Sequence, residues 1–119
     1  MIPKYPYGTS LHTEKRKPHY SLSRLQALVR NPITREITAS SRVGAAKFGW
    51  SEEEIVLCVL ELALRDFYKS MTSYYDSKIW QDVYRPTFRG VELYVKLQVS
   101  PEERGVVISF KERRPGEQP

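Results

Sequence analysis

The sequence predicts an α+β fold in which amino-terminal helices pack on one face of an antiparallel sheet. Three observations carry this reading. Apolar residues recur at helical spacing up to about residue 65, they change to alternation after Asp66, and Val91 to Val99 is apolar on one side and polar on the other. With 119 residues and 40% hydrophobic content, the chain suffices for one core and is too short for two independent ones.

Residues 1–14 bring together Tyr5, Tyr7, His12, Pro3, Pro6 and Gly8 without periodicity, and are expected to form a flexible extension. No secondary structure is assigned through residue 15. From Ser21, Leu22, Leu25, Leu28 and Val29 keep helical spacing until Asn31-Pro32 stops the turn. Ile33 to Thr38 alternates weakly, as a short strand or an extended connection. A second short helix is expected over Ser41 to Phe48, closed by Gly49.

Ser51 and Glu54 then stand at capping-box spacing. Ile55, Val56, Val59, Leu60, Leu62 and Ala63 supply an apolar face behind them, so the main core helix is expected from Ser51 to about Arg65. Three glutamates in its first turn suit the helix dipole and need no metal to explain them. Phe67 to Ser73 and Ile79 to Tyr84 read as paired strands around a turn at Tyr75 to Lys78. In the strand that follows, Val91, Leu93, Val95, Leu97 and Val99 share one face, and Glu92, Tyr94, Lys96 and Gln98 the other. Pro101 to Gly105 carries turn chemistry, and Val106 to Lys111 returns as an antiparallel partner. There Val106, Ile108 and Phe110 are placed on the apolar side, with Ser109 and Lys111 opposite. Residues 114–119 read as a solvated tail.

Nineteen basic against fourteen acidic residues give a net charge of +5. The excess is concentrated in residues 1–49, with nine basic and two acidic, whereas residues 50–66 hold one and five. A basic front half suits a polyanion such as RNA, and it equally suits an ordinary soluble surface. A sheet face carrying Tyr94, Lys96, Ser109 and Lys111 beside an aromatic-rich hairpin could stack and hold single-stranded RNA. The same pattern also describes the usual solvent face of an antiparallel sheet.

Cys58 is the single cysteine, so an intrachain disulfide is impossible. Its apolar neighbours point to a buried structural thiol, and a chain without disulfides fits a reducing cytoplasm. The run around it is too short for a membrane span, and residues 1–20 lack the apolar centre of a signal peptide. No phosphate-binding glycine loop, His/Cys metal spacing or Gly-x-Ser-x-Gly occurs, so neither a metal site nor a cofactor is expected. His12 reads as solvated, and His19 is left open.

RNA can be cut without metal when its 2′-hydroxyl attacks the adjacent phosphate. That requires a proton acceptor, cations for the phosphorane and a proton donor for the leaving 5′-oxygen, roles that Lys, Arg and Tyr can fill. Lys69 or Lys111 could be the base only if burial or neighbouring cations lowered its pKa from about 10.4. Gln81 could orient a phosphate or a base, and Arg85 offers a planar fork for phosphate oxygens.

Asp66 to Thr72, Ile79 to Pro86, Tyr94-Val95-Lys96 and Ser109-Phe110-Lys111-Glu112 together resemble the MqsR (motility quorum-sensing regulator) toxin family. Lys15 to His19 and the leucine-rich helix after it resemble that family's beginning, so the likeness covers roughly residues 15–113. It implies a RelE-like α+β fold and a metal-independent, sequence-selective endoribonuclease, an mRNA interferase of a type II toxin–antitoxin module. Such a toxin cuts mRNA, typically at GC-containing triplets, and arrests growth. The implied partner is a cognate antitoxin that is a DNA-binding repressor. By the same resemblance Lys69, Gln81, Tyr94 and Lys111 take the catalytic positions, and Tyr68, Met71, Arg85 and Lys96 neighbouring RNA-binding ones. Residues 1–14 extend beyond the family's usual start, and Ser40 to Leu64 diverges from it, which bears on antitoxin pairing. The competing expectation is a non-catalytic RNA-binding or antitoxin-binding protein of the same fold.

Overall fold

The computed structural model describes residues 13–114; residues 1–12, with His12, and residues 115–119 of the expected tail lie outside the described residues. Strand β1 (Glu14–Lys15) is followed by helix α1 (Leu22–Arg30), strand β2 (Arg35–Ile37), helix α2 (Ala39–Ala46) and helix α3 (Glu52–Glu61). A 3-10 turn at Leu64–Asp66 leads into β3 (Phe67–Thr72), β4 (Trp80–Tyr84), β5 (Thr87–Phe88), β6 (Val91–Val99) and β7 (Gly105–Glu112). The sheet runs β1-β3-β4-β6-β7-β2, with β5 folded back on the start of β6. Every pairing is antiparallel except β2 with β7. The architecture is the α+β one that the sequence predicts.

Each helix starts where a side-chain oxygen meets an amide that lacks a partner within the helix. Ser21 Oγ accepts from Arg24 N at 3.2 Å, Thr38 Oγ1 from Ser41 N at 3.2 Å, and Ser51 with Glu54 closes the expected capping box. The main core helix ends earlier than expected, at Glu61 instead of near Arg65. Leu62 is already extended, and the Gln26 side-chain amide donates to the carbonyls of Val59, Leu60 and Leu62 at 3.0–3.2 Å. A neighbouring helix thus satisfies the carbonyls that would otherwise favour another turn.

The helices cover one face of the sheet, where Leu25, Val29, Ile55 and Val59 meet Leu93, Val95, Leu97, Val107 and Phe110. At about 25 cal/mol per Å² of buried apolar surface, this layer is the main source of stability. Two glycines set its thickness. A Cβ on Gly44 of α2 would stand 1.9 Å from the Phe110 carbonyl oxygen, and one on Gly105 would meet Leu28 Cβ of α1 at 2.8 Å.

Two further expectations are corrected. Glu14 and Lys15, assigned no secondary structure from the sequence, pair with Met71 and Ser70 as an edge strand. A two-residue strand has too few positions to show a period; what holds it is the flanking chain. Thr13 O accepts from Thr72 N at 2.8 Å, and the buried Asp82 carboxylate accepts from His19 N and Tyr20 N at 2.9–3.1 Å.

In β7, Val107 enters the helix-side core, while Val106 faces the other way with Gln98 and Ile108 is only partly buried. The cause is a β-bulge: Lys96 pairs with Ser109 but Leu97 with Val107, leaving Ile108 unopposed. The carbonyls beside it are used by α2, since Thr38 Oγ1 donates to Ile108 O at 2.9 Å and Ser41 Oγ to Val107 O at 3.1 Å. Among the described residues no helix is long and apolar enough to cross a membrane.

Candidate active site

The face of the sheet away from the helices collects the polar residues, and two irregularities in its strands aim them there. In a regular strand residues two apart share a face, so Phe67 and Lys69 would point the same way. A register shift between them leaves Tyr68 unopposed: Phe67 pairs with Tyr84 on the helix side and Lys69 with Val83 on the open side. The bulge at Ile108 does the same for β7, because Val107 faces the helices while Ser109 joins Lys96 on the open face. Bulges re-aim side chains without interrupting the sheet.

Read across the strands, the open face has three rows. One holds Glu14, Met71 and Gln81, with Gln81 Nε2 donating to Gln98 Oε1 at 3.0 Å. The next holds Lys69, Val83, Lys96 and Ser109, and the third pairs Tyr94 with Lys111. Lys69, Gln81, Tyr94 and Lys111, expected as catalytic, therefore lie together on one face, supplied by four different strands. Lys69 and Tyr94 are 3% and 4% exposed, and Gln81 9%, so their positions are set by packing.

The aromatic rings order the cations. Lys111 Nζ and Lys96 Nζ lie 5.2 and 5.8 Å from the Tyr94 ring centre, and Arg85 sits over Tyr68 at 4.0 Å with Arg16 at 5.7 Å on the same ring. Lys69 Nζ is 5.6 Å from the Tyr68 ring and makes an ion pair with Glu14 Oε2. Burial, and then the charges of Lys111 and Lys69, pull the Lys96 ammonium below the usual lysine range. Like charges held this close disfavour the protonated form and attract an anion. Of the residues expected to contact RNA, Tyr68, Arg85 and Lys96 border this cationic patch. Met71 is fully buried with Val83 and Tyr94 under Tyr68, so it supports the patch from beneath and offers RNA no surface.

His19 belongs to the opposite side. Its ring stacks on Trp80 at 5.3 Å, Lys15 Nζ reaches its Nδ1 at 3.0 Å, and burial followed by that cation lowers its pKa against the pull of Asp82. Lys15 also lies 4.1 Å over the Trp80 ring, which fixes the edge strand from the helix side. Cys58 is 1% exposed, and burial pushes its thiol up to about 12, with Glu61 and Asp66 adding to the effect. It is a structural thiol, as expected.

Sequence reasoning missed Glu14. It precedes Lys15 by one position in a strand too short to show alternation, and only the pairing with Met71 puts it on the open face. The bulge in β3 did leave a signal, since alternation through Phe67-Tyr68-Lys69 would bury a charge beside an apolar ring, but nothing in the sequence points to Glu14.

The family described as Motility quorum-sensing regulator, toxin of MqsA, matches residues 17–112. The mRNA interferase toxin MqsR of Escherichia coli (strain K12) is 39% identical over 100 residues, a stretch covering 84% of this chain and 99% of that protein. The family match spans β2 to β7 and all three helices, and the chain belongs to the MqsR family of toxins.

Proposed function

We propose that the protein is a toxin that acts as an mRNA interferase, a sequence-selective endoribonuclease cutting mRNA by attack of a 2′-hydroxyl on the adjacent phosphate. The carrying observation is the convergence of Lys69, Lys96 and Lys111, from three strands, on one open face, with Lys96 and Lys111 beside the Tyr94 ring and Lys69 beside that of Tyr68. Ammonium groups held in place supply the charge that a phosphorane needs, without reorganising water at the moment of reaction. Lys69 and Lys111 stabilise the phosphorane, the Tyr94 hydroxyl gives its proton to the leaving 5′-oxygen, and Gln81 orients the substrate. Lys96, Tyr68 and Arg85 hold the flanking strand by phosphate contact and base stacking.

The reaction leaves a 2′,3′-cyclic phosphate and a 5′-hydroxyl. Cutting at GC-containing triplets, arrest of translation and growth, and capture by a DNA-binding antitoxin complete the proposal. The test incubates the purified protein with a long RNA in excess chelator and maps the new ends, alongside Lys69→Ala, Tyr94→Phe and Lys111→Ala. Cleavage at a recurrent triplet is expected, with each variant slower by on the order of 10²- to 10³-fold at similar RNA affinity. Cleavage that requires added metal would sink the mechanism. RNA binding without cleavage by the unaltered protein would leave an RNA-binding module.

A further inference from the structure

The three lysines and the tyrosine of the open face supply charge and a proton donor, but the attacking 2′-hydroxyl must also lose a proton. An ammonium cannot accept it. A carboxylate reaches this cationic face from β1: pairing with Met71 turns Glu14 toward Gln81 and Lys69, while its neighbour Lys15 turns toward Trp80 on the helix side. Glu14 Oε2 meets Lys69 Nζ, yet the Glu14 side chain keeps 36% of its exposure whereas Lys69 keeps 3%. The cation is thus buried behind a carboxylate that substrate can reach.

The position of Glu14 is also fixed. Thr13 N donates to Thr72 Oγ1 at 2.7 Å on one side of it, and His19 N and Tyr20 N are held by Asp82 on the other. General bases need such fixed placement within hydrogen-bond reach of the proton they take. Lys69 faces Glu14 from β3, Lys96 and Lys111 stand behind it from β6 and β7, and Arg16 of its own segment lies over Tyr68.

We propose that Glu14 is the proton acceptor for the 2′-hydroxyl, with Lys69 orienting its carboxylate and meeting the charge that develops on the phosphate. The proposal rests on the reading of the open face as a ribonuclease site. The 2′-O–H bond breaks and its proton goes to the Glu14 carboxylate as the 2′-oxygen bonds to phosphorus. The bond from phosphorus to the 5′-oxygen breaks, and that oxygen takes the electron pair and the Tyr94 proton. Glu14 then loses its proton to solvent and Tyr94 regains one.

The experiment measures single-turnover cleavage of a defined RNA across pH for the full chain, Glu14→Gln, Glu14→Asp and Lys111→Ala. Glu14→Gln keeps size and a hydrogen bond to Lys69, and is expected to slow cleavage by on the order of 10²- to 10⁴-fold and to remove the fall in rate toward acid pH. Glu14→Asp, a shorter carboxylate, is expected to keep that acid limb with a smaller loss, so the assignment stays testable even where Glu14→Gln folds poorly. A full rate in Glu14→Gln with loss in Lys111→Ala would overturn the base and spare the site. Full rates in both would overturn the site itself. A slower Glu14→Gln whose acid limb persists would make Glu14 a positioning residue for Lys69, and a faster one would make it a guard over the site.

Discussion

The two faces of the sheet treat buried polar groups in opposite ways. On the helix side Asp82 is fully buried and its carboxylate takes the amides of His19 and Tyr20, while Ser41, equally buried, spends its hydroxyl on the Val107 carbonyl. Each of these groups ties one segment of chain to another. On the open side Lys69, Lys96 and Lys111 are brought together, and the Lys96 ammonium is held at an electrostatic cost. Adjacent residues of a single strand serve the two purposes: Gln81 faces the site, and Asp82 behind it anchors the segment that carries Glu14. Groups that tie one segment to another stabilise the protein, whereas like charges brought together attract an anion.

This contrast predicts that substitutions on the covered side act on stability first. The largest effect is expected at Gly44, where a methyl group would stand 1.9 Å from a backbone oxygen of β7 and neither α2 nor the strand can yield locally. Gly44→Ala gains about 1 kcal/mol of helix propensity but should lose about 3 kcal/mol net through overpacking. The measurement is the shift of the denaturant midpoint at unchanged slope. An unchanged midpoint would mean that α2 does not press on β7 as closely as the covered layer requires.

Asp82→Ala should cost less, about 2 kcal/mol, because it removes a fully buried carboxylate that accepts from two amides. It also tests whether the faces are linked. With its anchor gone, the 13–20 segment should loosen, amide exchange at Ser70 and Thr72, whose N–H groups face β1, should quicken, and cleavage should fall although no residue of the open face has changed. Loss of stability without loss of cleavage would separate the faces and remove the edge strand from the reaction.

Periodicity was enough for the element types, because long segments such as Val91 to Val99 repeat a clear alternation and Ser51 with Glu54 marks a helix start chemically. It failed where a single residue breaks the period. The unopposed Ile108 reversed the sides expected for Val106 and Val107, and the carbonyls that Gln26 ties down shortened α3. That Lys69, Gln81, Tyr94 and Lys111 would come together was legible only through resemblance to a family; composition allowed such chemistry without locating it. Glu14 was not legible, since its place depends on Asp82, 68 positions along the chain, holding the segment that contains it.

The smallest effect has the opposite sign and tests the open face directly. Lys96→Met keeps the stem that packs beside Tyr94 and removes an ammonium opposed by burial and then by Lys111 and Lys69. At neutral pH the variant should be more stable than the unaltered protein by about 1 kcal/mol, the usual size of a single stabilising change. The sign follows from proton binding: the folded Lys96 pKa lies below the ordinary value of 10.5, so between the two the unfolded chain holds more protons and stability rises with pH. The advantage of Lys96→Met should therefore be complete below the folded value and fade as the pH rises toward 10.5. RNA binding should weaken at the same time, with its salt dependence reduced by about one counterion. Thermal denaturation at neutral and alkaline pH checks the first part, and binding at two salt concentrations the second. A variant less stable at neutral pH would show that the ammonium is satisfied where it lies, and the contrast between a self-satisfied face and a strained one would fail at its centre.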